Sequence, residues 1–388
     1  MYHFFGIKDS FICSLMEALV MLGYKVSASD SEEMIEKKSH LKDSGINLML
    51  EKDVVLSKDI IYVCANQEVD SELLAKADEE DLITYSYQKL IEKLSEKFKT
   101  ITVAGSHGKT ALSWKLGKVL DQLYGSNYLI DNYVKASTKN EFLVIEAKDA
   151  NKDFLYLTSY YSIVTNIEHI NKKDYETREL LIDAYSEYAN NVKKMIIANG
   201  DSPYPRALDV TKPIFFYGTD EDNDIFAKDV KYTKKGTSFD VFVEENYYGH
   251  FDLPIYGKTM LLNTLAIISI CYYERVDAKE LSKLLKEIGS LPGYFEEIKI
   301  EKKTYLLDNA SHPNEIKTVI RAAEQKYEGK KHNLYYIKDE TYTEELKEKY
   351  DALVDEFGLK IIDDISKINK QCNINVIMSC NIKDKFEG

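Results

Sequence analysis

The chain reads as an α/β protein built from three units, and three observations predict it. Residues 3–7, 12–22 and 24–29 run strand, helix, strand. Residues 100–104 form an apolar strand that enters a glycine-containing loop and then an amphipathic helix. Strand–helix alternation resumes beyond Leu291-Pro-Gly293. Alternation of this kind builds parallel sheets, because each crossover helix must bury its apolar stripe against the sheet it bridges. The boundaries that follow are 1–97, 98–292 and 293–388.

In the first unit, 3–7 is short and apolar, 12–22 has apolar residues at helical spacing, and 24–29 is a strand ending at Asp30. A further apolar run lies at 59–64, and a charged helix over 88–97 leads out of the unit. The second unit opens on strand 100–104. Leu112, Leu116, Val119, Leu120 and Leu123 then share one helical face, which Gly125 terminates. Strands are predicted at 142–147, 161–166, 195–199 and 214–217, with a helix over 178–194. From 226 to 253 the pattern turns to short alternating strands, as in Ser238-Phe-Asp-Val-Phe-Val243, the mark of an antiparallel insertion. Helices at 260–273 and 278–288 close the unit. The third unit continues with strand 304–307, helix 314–326, strand 334–337, helix 344–357, and strands near 359–362 and 374–378.

Composition excludes several classes. The 388 residues carry a net charge of −14, which argues against a nucleic-acid binder, whose affinity rests on Lys and Arg neutralising phosphates. The 29 tyrosines and 15 phenylalanines therefore read as core and surface filling rather than as a base-stacking platform. A few local donors can still hold a phosphate inside an acidic protein. The five cysteines are dispersed without a C-x-x-C pair, so reduced thiols are expected. The first residues lack a signal-peptide pattern, and no apolar run approaches the roughly 18 residues that span a membrane. A cytoplasmic protein with no membrane contact is the expectation.

The strongest single signal is Val103-Ala-Gly-Ser-His-Gly-Lys-Thr110, between a strand and a helix. Glycines let backbone approach a phosphate, and the helix N-terminus offers unpaired N–H groups with a favourable dipole. Lys109 can reach the β- and γ-phosphates, and the Thr110 hydroxyl can ligate Mg²⁺. Two residues separate the glycines where the common phosphate loop has four, and an ordinary βα turn is the plain alternative. Glu146 ends a hydrophobic strand, where an unpaired carboxylate is costly to bury; a solvated strand-end glutamate is its plain reading. Asn166 and Asp201 sit at other strand ends, where ligands collect in open α/β sheets, and each reads equally as a turn cap. Asp30 suits a ribose or uridine contact, and equally a turn.

The segment at 103–110 resembles the A-G-T-H-G-K-T of the Mur ligase family, which also includes folylpolyglutamate synthases. Seven further segments are similar to family segments in the same order. HFFGI at 3–7 is similar to HFIGIGG, VSASD at 26–30 to VSGSD, and FLVIEAKD at 142–149 to YLVAEADE. NGDSP at 199–203 resembles N-x-D-D-P, residues 253–263 resemble L-P-x-x-G-x-H-N-x-x-N, and DNASHPNE at 308–315 resembles D-Y-A-H-H-P-T-E. IVTNIE at 163–168 also matches the family segment that precedes a metal histidine.

The resemblance implies a Rossmann-like, UDP-sugar-binding domain over 1–97, a central P-loop ATPase-type domain over 98–292 and a Rossmann-like C-terminal domain over 293–388. It implies an ATP-dependent amide ligase of peptidoglycan precursor synthesis that joins L-alanine to UDP-N-acetylmuramate through an acyl phosphate, using ATP and Mg²⁺. Gly105, Ser106, His107, Gly108, Lys109 and Thr110 would bind ATP, with Asn263 and Asp308 near its base and ribose. Thr110, Glu146 and Asn171 would hold the metal, Lys109, Glu146 and His312 would serve catalysis, and Gly6, Ile7 and Asp30 would meet the UDP-sugar. A second copy of the chain is a candidate partner.

The chain also departs from the family. Lys8, Asp9 and Ser10 stand where the first loop has glycines, and Asn171 stands at the metal histidine, with His169 two positions early. The family's paired arginines are Gly293 and Tyr294, and its arginine-bearing P-H-R-Y-T-R segment is Asp339-Glu-Thr-Tyr-Thr-Glu344. Losing arginine at a phosphate or carboxylate site is not a conservative change. The alternative reading is a catalytically degenerate homologue that binds nucleotide or UDP-sugar as a regulatory or partner protein.

Overall fold

The computed structural model describes residues 1–65, 72–369 and 372–387, and the chain divides into two compact units, Met1–Phe215 and Phe216–Gly388. The first begins with β1 (Tyr2–Phe5), α1 (Ser10–Met21), β2 (Val26–Asp30), α2 (Glu32–Lys37), β3 (Asn47–Leu50), β4 (Ile61–Cys64), α3 (Glu72–Glu79), β5 (Thr84–Ser86) and α4 (Tyr87–Ser95). Its strands pair in parallel in the order β3-β2-β1-β4-β5. Central β1 is covered on both faces, as a parallel strand must be, and Phe4 and Phe5 are both buried. His3 is buried with them, its Nδ1 2.8 Å from the Ser27 hydroxyl and its Nε2 3.0 Å from the Ser29 hydroxyl. Burial pulls the His3 pKa down to about 4, so the ring is neutral at pH 7. Strands β3 and β5 carry no clear period in sequence, being short edges that are only partly buried.

The same unit continues with β6 (Lys99–Ala104), α5 (Lys109–Tyr124), β7 (Ser126–Ile130), β8 (Tyr133–Lys135), β9 (Phe142–Glu146), β10 (Ser159–Val164), α6 (Arg178–Asn190), β11 (Val192–Asn199) and the short α7 (Pro203–Arg206). Here the order is β11-β10-β6-β9-β7-β8, parallel except for the β7–β8 hairpin. Asp131-Asn132 makes that hairpin's two-residue turn, with Asp131 at φ 29. Every residue of β9 is buried, and so is β6 beyond Lys99. After β6 the chain crosses to one side and returns as β9, while β10 and β11 extend the other side. The carboxyl ends of β6, β9 and β10 therefore lie side by side at a reversal of strand order, the place where open α/β sheets bind ligands.

In the second unit, β12 (Ile214–Gly218) pairs in parallel with β13 (Ile225–Thr233), and β14 (Gly236–Val243) and β15 (Asn246–Leu253) complete an antiparallel meander. Two helices follow, α8 (Gly257–Tyr273) and α9 (Ala278–Glu287). The last sheet comprises β16 (Glu296–Ile300), β17 (Lys303–Asp308), β18 (Asn333–Ile337), β19 (Lys360–Ile362) and β20 (Ile374–Met378), in the order β16-β17-β20-β18-β19. It is parallel apart from the β16–β17 edge. Helices α10 (Pro313–Lys326), α11 (Lys347–Phe357) and α12 (Ile382–Glu387) accompany it. The α/β class and the three sheets agree with the periodicity. No helix among the described residues is long and apolar enough to cross a membrane.

Candidate active site

The loop from Ala104 to Lys109 is shaped by close backbone approach. Gly105 has φ 152, and a Cβ there would lie 2.0 Å from the Thr165 hydroxyl and 3.2 Å from the Asn166 N and O atoms, so only glycine fits. The loop is stitched to the segment after β10. Asn166 accepts the Ser106 N–H on its backbone oxygen at 3.0 Å and the His107 N–H on its side-chain oxygen at 2.9 Å, and its Nδ2 donates to the His107 carbonyl at 3.0 Å. The Ser106 hydroxyl accepts the Glu168 N–H at 2.7 Å, and His107 Nε2 lies 3.3 Å from the Glu168 carboxylate. Lys109 Nζ donates to the Gly105 carbonyl at 2.6 Å, folding back over the loop. Asn166 thus acts as the brace of the loop.

Gly108 caps α5 in the left-handed region, φ 77, with no side-chain cap. The first N–H groups of a helix have no intrahelical partner, so this end is open to an anion. The first βα turn is closed. Asp9 caps α1 by accepting the Phe11 N–H at 2.7 Å and the Ile12 N–H at 3.3 Å. Asp30 accepts the Ile7 N–H at 2.8 Å and the Ser31 N–H at 2.7 Å. Gly6, at φ 90, donates its N–H to the Ser29 carbonyl. Gly6, Ile7 and Asp30 therefore do come together, but through the chain's own hydrogen bonds.

Glu146, at the end of β9, is 6% exposed and takes a hydrogen bond from the Thr110 hydroxyl, while its Oε2 is buried without a partner. Burial pushes its carboxyl pKa up, with Lys109 and Lys148 pulling it back. An orphaned carboxylate oxygen beside a threonine hydroxyl at the mouth of this glycine-containing loop suits a hard cation, which prefers oxygen ligands. No group of three or more His, Cys, Asp or Glu residues stands together as a metal cage among the described residues. Thr110 and Glu146 are the residues that would hold Mg²⁺, with phosphate oxygens completing the shell. Asn171 is engaged in a local turn: its Nδ2 donates to Asp174 at 2.7 Å and its Oδ1 accepts the Asp174 N–H at 3.2 Å. His169 Nε2 meets the Tyr175 carbonyl at 2.7 Å. Asp201 donates its N–H to the Asn199 side chain.

The remaining predicted residues lie in the second unit. Asn263 is half-buried on α8. Asp308 ends β17, and its carboxylate accepts the N–H groups of Phe295 and Ala310, each at 2.8 Å. Burial pushes its pKa up to about 7 despite those donors. His312 caps α10, its Nδ1 accepting the Asn314 N–H at 3.3 Å within a capping box completed by Glu315.

Around Glu146 the structure gathers residues that periodicity does not reveal. Lys148 Nζ pairs with Asp131 at 3.3 Å and lies 5.3 Å from the centre of the Phe11 ring. The same Asp131 oxygen accepts the Ser10 hydroxyl at 2.6 Å, and the Asp131 carbonyl accepts that of Ser14, which docks α1 on the β7–β8 turn. Asp153 accepts from the Tyr87 hydroxyl and from Gln88 Nε2, tying α4 to the loop after β9. Two of these had a legible local signal: Asp9 before an apolar helical run is an N-cap pattern, and Asp131-Asn132 between two apolar runs is a hairpin turn.

Residues 103–271 match the Mur ligase middle domain family. Among solved structures, the chain is similar to the UDP-N-acetylmuramate-alanine ligase MurC from Thermotoga maritima, at 17% identity over 100% of this chain and 97% of that one, TM-score 0.77. It is similar to a murein peptide ligase from Psychrobacter arcticus, at 18% identity over 97% and 95%, TM-score 0.67. It is also similar to the MurF ligase from Thermotoga maritima in complex with ADP, at 16% identity over 87% and 95%, TM-score 0.64. Residues 103–271 thus carry a Mur ligase middle domain.

Proposed function

We propose that this chain is a Mur ligase, an ATP-dependent amide ligase of peptidoglycan precursor synthesis that joins L-alanine to UDP-N-acetylmuramate. The three-domain division at 97 and 292 belongs to the same reading. The observation that carries it is the pairing of an uncapped phosphate loop, Gly105 to Thr110, with the orphaned Oε2 of Glu146 at the adjoining strand end. The N–H groups at the start of α5 and the Lys109 ammonium, released from the Gly105 carbonyl, hold the β- and γ-phosphates. Thr110 and Glu146 would hold Mg²⁺, which would supply charge neutralisation for phosphoryl transfer.

The substrate carboxylate oxygen attacks the γ-phosphorus, the bond to the β-phosphate bridging oxygen breaks, and ADP departs. The amine of alanine then attacks the acyl carbon, the amine proton passes to solvent, and inorganic phosphate leaves. This chain's residues act by positioning and by charge, the main resources in phosphoryl transfer. His312, Asn263 and Asp308 keep in this reading the catalytic and nucleotide-binding roles that the resemblance implies.

A second reading, a nucleotide-binding homologue without turnover, is favoured by the turn in which Asn171 is engaged and by Gly293 and Tyr294 in place of arginines. The deciding experiment is phosphate release from ATP and Mg²⁺ with UDP-N-acetylmuramate and each candidate amino acid. Release that requires both the sugar and L-alanine supports the ligase. Nucleotide binding without release under any combination supports the second reading.

A further inference from the structure

A cleft opens where α1, α4 and the chain after β9 meet, and Glu146 lines it. Phe11, Ile91 and Phe154 give it an apolar wall. Its acidic groups are already engaged. Asp153 is held by Tyr87 and Gln88, and Glu146 faces Thr110 while burying an unpartnered Oε2. Lys148 is the basic side chain on the lining, and its side chain is 32% exposed.

Three features make Lys148 a built cation rather than a solvated one. The Phe11 ring and Asp131 hold its ammonium from two directions, and Asp131 is itself fixed by Ser10. An ammonium has three donors, and its one described hydrogen bond, to Asp131, is long at 3.3 Å. Lys148 also lies two residues beyond Glu146, beside the loop that would carry the phosphate to be transferred.

We propose that this cleft receives the carboxylate-bearing arm of the acid substrate, with Lys148 as the counter-ion of that carboxylate. The proposal rests on the ligase reading above and names a specificity-determining residue for it. The apolar wall excludes water and covers the non-polar part of the arm, and Lys148 offsets the repulsion that Glu146 exerts on an incoming carboxylate.

The test is calorimetric titration of the full chain, with Mg²⁺ and a non-hydrolysable ATP analogue, using UDP-N-acetylmuramate and UDP-N-acetylglucosamine. The two sugars differ by the carboxylate-bearing arm. The parent is expected to bind the first at least about 10-fold more tightly, as a charge-assisted hydrogen bond allows. Lys148→Met is expected to lose about 10- to 100-fold toward the acid sugar and less than about twofold toward the neutral one. Lys148→Arg restores most of the loss, and binding of the ATP analogue is unchanged in both variants, which controls for folding. Equal losses toward both sugars, or no loss toward the acid sugar, overturn the role of Lys148 while leaving the ligase reading intact. A parent that binds the ATP analogue but not the acid sugar overturns the substrate assignment itself, and the Lys148 proposal with it.

Discussion

Glu146→Gln is expected to make the ligand-free protein more stable while removing its response to Mg·ATP. The glutamate is 6% exposed, one oxygen takes the Thr110 hydrogen bond and the other has no partner. Leaving a buried polar atom unsatisfied costs about 1–3 kcal/mol, more when it is charged. Glutamine keeps the shape and the oxygen facing Thr110 but removes the charge. Its amide nitrogen inherits the unpartnered position, so part of the gain is lost, and about 1–2 kcal/mol remains. For a unit of this size that raises Tm by about 2–4 °C per kcal/mol.

The pH dependence follows from the sign of the shift. A carboxyl whose folded pKa is raised binds more protons in the folded state, so its contribution to stability falls as pH rises above the unfolded value of 4.5. The advantage of the variant therefore grows from pH 4.5 upward and levels off once the folded group ionises. Thermal unfolding from pH 5 to 8, with and without Mg·ATP, measures both effects. A variant that melts at or below the parent temperature at pH 7.5 would show that Oε2 is satisfied in solution. A variant that Mg·ATP stabilises as much as the parent would remove Glu146 from the metal.

Gly105→Ala places a methyl 2.0 Å from the Thr165 hydroxyl and against the Asn166 backbone; a cost of about 1–3 kcal/mol is expected, with loss of ATP binding by equilibrium dialysis. Asn171→Ala and His169→Ala are both expected to leave Mg²⁺-dependent ATP binding nearly unchanged, because Asn171 is engaged with Asp174 and His169 with the Tyr175 carbonyl; a loss in either variant in the same titration would add that residue to the metal contacts. The neutral, buried His3 makes the protein lose stability as pH falls from 6.5 towards 4, because the unfolded chain takes up a proton that the folded one refuses. That contribution amounts to roughly 3 kcal/mol, and urea melts of the parent against His3→Asn over that range should differ by it. Asp9→Gly opens the N-terminus of α1 and is expected to tighten UDP binding by about 3- to 10-fold; unchanged affinity by calorimetry would mean that the diphosphate does not approach that turn.

Much of this was legible in sequence because the forces responsible are local or periodic. The loop at 103–110 announces itself through residues whose conformational and charge properties suit one task, and the buried parallel strands at 100–104 and 142–147 are continuous apolar runs. What escaped was non-local. No spacing rule connects Asp131 to Ser10 and Lys148, or Tyr87 and Gln88 to Asp153, because those bonds form only once α1 and α4 lie against the sheet that begins at β6. Short edge strands such as β3 and β5 escaped for a different reason. Partly buried segments of three or four residues carry too little apolar pattern to stand out from a loop.

Two βα turns of the first unit, after β1 and after β6, show why a resemblance has to be followed to individual atoms. Both join a central parallel strand to a helix, and either could present backbone N–H groups to a phosphate. In the first, glycines of the related family are replaced by Lys8, Asp9 and Ser10, and Asp9 spends its carboxylate on the N–H groups of Phe11 and Ile12. An anion arriving there meets a negative charge and occupied donors. In the second, Asn166 takes the N–H groups of Ser106 and His107 and stiffens the loop, but the start of α5 has no side-chain cap and Lys109 stands over it. The same electrostatics that closes one turn leaves the other as the better phosphate site. A chain that lost both would be expected to drift towards capping residues at Gly108 as well; the persistence of an uncapped, less stable helix start beside an orphaned buried glutamate is a stability cost that ligand binding at this loop would offset.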